Sequence, residues 1–117
     1  MSWKVIPPTD GRRVVTAIFD GYLGAEDGAA SAAEFRAAFG GASLAVVWDV
    51  TSMAGFDPAA RSAWADAVRP IRSQIDSLKI VGARGMVRIG ATFLALLLGT
   101  PYEFVSTDET GTQGRPS

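Results

Sequence analysis

The sequence predicts a mixed α/β fold in which strands and helices alternate in the order β-β-α-β-α-β-α-β and the helices pack on the sheet. Three observations carry this. Ser43 to Val50 is an apolar, β-branched and aromatic run (Leu44, Val46, Val47, Trp48, Val50) with one charge, Asp49, near its end. It reads as a strand covered on both faces, the kind found in the middle of a sheet. Downstream, Asp57-Pro58 marks a helix start: the Asp57 oxygen accepts from the first free amides, and Pro58 sits where a missing N–H costs nothing. Further helix-period segments, 24–40 and 86–98, alternate with short strand-like runs.

The elements follow in order. Trp3 to Ile6 is a short strand, and Pro7-Pro8-Thr9-Asp10-Gly11 turns it into a second strand from Arg13 to Leu23, the two making a hairpin. Gly24 to Gly40 is an alanine-rich helix with Phe35 and Phe39 on one stripe and Gly40-Gly41 as its stop. Its start has two readings, with Glu26-Asp27 in the first turn or with Ser31-x-x-Glu34 as a capping box. Thr51 to Phe56 is a turn. The helix from Pro58 runs to about Ile75, kinked at Pro70, with Ala60, Trp64, Ile71 and Ile75 inward and Arg61, Asp66, Arg69 and Arg72 outward. Leu78 to Val81 is a strand, Met86 to Leu98 a helix, and Pro101 to Val105 an edge strand. Residues 1–105 thus form one domain, and 106–117, without an apolar residue, read as a disordered tail.

Composition narrows the function. The chain of 117 residues has no histidine and no cysteine. That removes disulfides, thiolate nucleophiles, Cys/His zinc sites, serine–histidine triads and the usual neutral-pH proton shuttle. A hydrolase or transferase built on Asp49 and Asp57 would need a metal or a strongly raised carboxyl pKa. No catalytic residue, metal or cofactor is therefore expected. A net charge of −1 argues against a nucleic-acid binder, and the longest apolar stretch is too short for a membrane span. The N-terminus lacks the apolar core of a signal peptide, which predicts a cytoplasmic protein. The Gly82-Ala83-Arg84-Gly85 turn lacks the glycine spacing of a dinucleotide fingerprint and the lysine-hydroxyl end of a Walker loop.

Two stretches are candidate sites. A strand end leading into a helix N-terminus is where partners commonly meet an open α/β sheet. It contributes Asp49, Thr51, Ser52, Met53, Phe56, Asp57 and Arg61, while the plain alternative is that Asp57 is only a cap and Asp49 only a strand-end charge. The helix from Met86 carries Met86, Ile89, Phe93, Leu94 and Leu97 in an apolar face covering roughly 200° of its circumference, more than one sheet contact needs, with only Arg88, Thr92 and Ala95 as a polar strip. That excess goes to internal packing, to a homodimer surface or to the wall of an apolar ligand cavity.

The order of elements and the stretch VVWDVTSMAGFDPAARSAWADAVRPIRSQIDSLKIVGARGMVRIGATFLALLLGTPYEFV, with DGYLGAEDGAAS as a weaker upstream match, resemble the SpoIIAA-like group of STAS-type domains. The resemblance implies a superhelical arrangement of β-α units, with distant kinship to CRAL-TRIO lipid-binding domains. In anti-anti-sigma STAS proteins the loop after the central strand reads approximately DLSxVxxxDSSG, and a serine at the next helix start is phosphorylated. Asp49, Thr51, Met53 and Asp57 match that pattern, but Pro58-Ala59 stands where the two serines would be, and Thr51 and Ser52 are the nearest hydroxyls. The combined expectation is a non-catalytic interaction module with an unidentified protein partner and without the usual phospho-acceptor. The alternative is a small domain that binds or senses an apolar, lipid-like molecule.

Overall fold

The computed structural model describes residues 1–9 and 11–106. Its strands are β1 (Ser2–Ile6), β2 (Val14–Leu23), β3 (Leu44–Phe56), β4 (Ile75–Val81) and β5 (Tyr102–Val105), and its α-helices are α1 (Ala25–Ala37), α2 (Pro58–Val68) and α3 (Gly85–Leu98). The strands form one sheet in chain order, with β1 antiparallel to β2 and every later pair parallel. The element order is the predicted one. Of the tail expected from residue 106 onward, Ser106 is exposed and 107–117 lie outside the described residues.

Each parallel crossover advances one strand in the same direction, so right-handed connections place all three helices on one face of the sheet. Burial follows this: Leu44, Val46, Trp48 and Val50 are buried, while the intervening Ala45, Val47 and Asp49 are half-buried on the helix-free face. This corrects the expectation of a strand covered on both faces. A β-branched side chain suits a pleated surface without a second layer over it.

An aromatic cluster ties the helices to the sheet. Trp64 of α2 stacks at 4.9 Å on Phe35 of α1 and edge-on at 5.6 Å to both Phe19 of β2 and Trp48 of β3. The Trp64 Nε1–H donates to Ser31 Oγ at 3.1 Å, and the same hydroxyl donates to the Gly28 carbonyl. Ser31 is fully buried, so the capping-box reading fails; α1 starts after Gly24 with Glu26 and Asp27 in its first turn. At Gly28 a Cβ would overlap Cα and Cβ of Ala60, so α1 and α2 meet backbone to backbone.

The helix start at Asp57 is as predicted, with Asp57 Oδ1 accepting from Ala59 N at 2.8 Å and Pro58 at the first helical position. Its end differs. Instead of a kinked α-helix to Ile75, α2 stops at Val68 and Arg69–Gln74 forms a 3₁₀ helix. Pro70 has no N–H for the Asp66 carbonyl, and the chain tightens rather than bends. Ile71 and Ile75 stay buried, as their spacing predicts, but Ile75 already belongs to β4.

Candidate functional site

The stretch 51–56, expected to be a turn, is strand: β3 continues to Phe56 beside β2, whose own length supplies backbone partners for it. Asp57 N then donates to the Leu23 carbonyl at 2.8 Å. The extension is not regular. Between Ile18↔Asp49 and Asp20↔Ser52, and again between Gly21↔Met53 and Tyr22↔Gly55, β3 advances one residue more than β2. Each extra residue is a β-bulge that reverses which side chains face the helices. The helix-facing series therefore runs Trp48, Val50, Met53, Phe56.

Met53, re-aimed by the first bulge, and Phe56, returned to the helix face by the second, border a cleft of about 60 Å³ between the end of β3, α2 and α3. Trp48, Met53, Phe56, Arg61, Trp64 and Leu94 are among its walls, and apart from Arg61 the lining is apolar. Gly90 holds the α3 side open: a Cβ there would come within 2.5 Å of the Phe56 ring. The buried Trp48 Nε1–H has no hydrogen-bond partner among the described residues. Arg61, expected to point outward, is half-buried at the cleft with its guanidinium 4.9 Å from the Phe93 ring centroid. No described carboxylate pairs with it; the ion pair among the described residues is Arg69–Asp66.

The seven residues predicted at the strand–helix junction thus divide. Met53, Phe56 and Arg61 come together at the cleft. Asp49, whose neighbours Trp48 and Val50 face inward, lies on the opposite face, where its Oδ1 accepts from Thr51 N at 3.1 Å. Asp57 caps α2, Ser52 is exposed and Thr51 is half-buried. Both carboxylates are thus engaged by amides two residues on. No group of three or more metal-ligating side chains occurs among the described residues.

The second predicted surface divides as well. Leu94 is buried at the cleft and Leu97 is half-buried, whereas Met86, Ile89 and Phe93 are 66%, 60% and 45% exposed, together with Leu96 at 65%. Ala95, placed in the polar strip by the sequence, is buried instead. Leu96 was legible at i+3 from Phe93. Gly90 and the Trp48 indole were not, because only the bulges and the α2–α3 gap give them a role.

No protein-family model matches the chain. No curated protein matches it either. Among solved structures, it is similar to an uncharacterised protein of the DUF3478 family from Shewanella loihica, described as having a SpoIIAA-like fold, with a TM-score of 0.68 at 13% identity over 87% of this chain and 84% of that one. The chain has a SpoIIAA-like fold. It is also similar to the anti-sigma factor antagonist SpoIIAA in its unphosphorylated form, with a TM-score of 0.52 at 14% identity, covering 99% of this chain and 100% of that one. The SpoIIAA-like architecture expected from residues 20–31 and 46–105 is therefore present, and at these identities the likeness speaks for the fold. Among the described residues no helix is long and apolar enough to cross a membrane.

Proposed function

We propose that this chain is a non-catalytic regulatory module that docks a protein partner at the mouth of the α2–α3 cleft and works as a homodimer. The observation that carries the docking site is the cleft itself: an apolar recess, bordered by Met53 and Phe56, with a cation in its wall, Arg61, that no carboxylate among the described residues pairs with. A recess of this size suits one anchoring side chain, the feature around which binding energy concentrates in protein interfaces. Arg61 adds a preference for an acidic group beside that anchor. The partner feature is therefore a segment with a small aliphatic side chain next to Asp or Glu. Pro58 and Ala59 carry no hydroxyl, so the usual phospho-acceptor positions at the α2 start offer none.

Selection from a random peptide library tests this. Enriched peptides should pair an apolar anchor with an acid, and their affinity should fall at least tenfold for Gly90→Ala, whose added Cβ pushes the Phe56 ring into the recess, and for Arg61→Glu. Peptides that bind these variants as well as the wild type would place the docking site elsewhere.

The apolar-ligand reading keeps a narrower form. At about 60 Å³ the cleft is well under half the ~150 Å³ of an engineered cavity that admits benzene, so it takes the end of a chain rather than a whole lipid. Native mass spectrometry of gently purified protein would show such a molecule as a discrete added mass, removed by Gly90→Ala.

A further inference from the structure

The exposed side of α3 carries an apolar stripe along its length, flanked by Arg88, which stacks over the Phe104 ring at 3.9 Å. Val87, Ala91, Leu94 and Leu98 turn inward, and directly opposite them Met86, Ile89, Phe93 and Leu96 stand in solvent. Even the neighbouring Thr92 hydroxyl is turned to its own helix, donating to the Arg88 carbonyl at 2.8 Å. A face of this kind on a 14-residue helix calls for a covering surface.

The spacing of the four residues says which surface. Successive steps of three, four and three make a short a/d seam of the kind that packs helix on helix. The series also reads the same from both ends: Met86 and Leu96 are equidistant from position 91, and so are Ile89 and Phe93. A seam with that symmetry is self-complementary about a two-fold axis, the arrangement most homodimers use. Charge points the same way. Arg84 sits at the N-cap of α3 with no acid in the first turn and no base in the last, an unfavourable place for a cation on its own helix. In an antiparallel pair it comes level with the C-terminal carbonyls of the other α3, where a cation is favoured, and the two helix dipoles oppose.

We infer that the occupant of this face is a second copy of the chain, with α3 packed antiparallel to its mate about a two-fold axis level with Ala91, Met86 against Leu96 and Ile89 against Phe93. The inference rests on the self-association part of the proposed function and adds its geometry. Four side chains contribute on the order of 400 Å² per copy and roughly 800 Å² per pair, short of the ~1,200 Å² of a tight complex. Leu97, Thr92 and Arg84 at the rim extend it, and the dimer should be concentration-dependent.

The absence of native cysteine makes the register directly testable. In the antiparallel pair the two copies of residue 86 lie about 15 Å apart along the axis, beyond the ~7 Å Cα separation a disulfide spans, while 86 and 96 are opposed. The double variant Met86→Cys/Leu96→Cys should therefore oxidise to a covalent dimer, and Met86→Cys and Leu96→Cys singly should not. Light scattering of the wild type should show dimer giving way to monomer on dilution, and Ile89→Glu should abolish the dimer while keeping the circular dichroism of the fold. A wild-type dimer whose Met86→Cys variant cross-links to itself would overturn the antiparallel register alone. A wild type that is monomeric at every concentration would overturn self-association itself.

Discussion

Two polar side chains show how much one residue holds. Ser31 stands at the centre of the α1–α2 contact, its hydroxyl accepting from the Trp64 indole and donating to the Gly28 carbonyl with no exposure to solvent. Ser31→Ala leaves a buried N–H without an acceptor, and unfolding in urea should show a loss of about 1–3 kcal/mol. Asp57→Ala removes only the cap on Ala59 N, near the surface; the expected loss is about 1 kcal/mol. If that variant lost far more, Asp57 would have a role beyond capping. Asp57 was legible as a cap from its position before Pro58. The sequence left two starts open for α1, one of them with Ser31 as a cap, because a Ser-x-x-Glu pattern looks the same whether a helix begins there or has already run two turns.

At the scale of elements, the close approach of α1 and α2 depends on Gly28. Alanine at 28 gains about 1 kcal/mol of helix propensity, but its Cβ overlaps Ala60, and overpacking of this kind costs roughly 1–3 kcal/mol. Gly28→Ala should be destabilising on balance, with a thermal midpoint lowered by several degrees; an increase would show that the helices separate freely. The end of β3 is likewise an element-level result. Thr51 to Phe56 has the glycine and small residues of a turn, yet the edge of β2 offers it a ladder, and two bulges absorb the mismatch. Propensity read one residue at a time does not register a partner thirty residues upstream.

For the whole molecule, a sheet with helices on one face only makes adjacent residues of β3 unequal. Val47→Thr, on the helix-free face, should change stability by less than about 1 kcal/mol, whereas Val46→Asp, an uncompensated buried charge, should prevent folding. Soluble expression and circular dichroism of the two variants decide this, and equal tolerance would argue for a different layering. The same layering explains why α3 is apolar on both sides: its inner face completes the single core, and of the described chain only the Arg61 guanidinium, against the Phe93 ring, is seen over its outer one.

The sequence alone determined the order of the elements, the start of α2, the fold class and the absence of histidine and cysteine chemistry, since all of these are local properties of composition, spacing and capping. Only the tertiary structure decided which residues meet. The first bulge turns Met53 to the helix face and the second returns Phe56 to it, so that both meet Arg61, while Asp49, ahead of both bulges, stays on the far face, and the one-sided layering turns four apolar residues of α3 outward. Both outcomes depend on pairing and packing between segments distant in the chain, and a linear pattern does not encode the side of the sheet on which a residue will end.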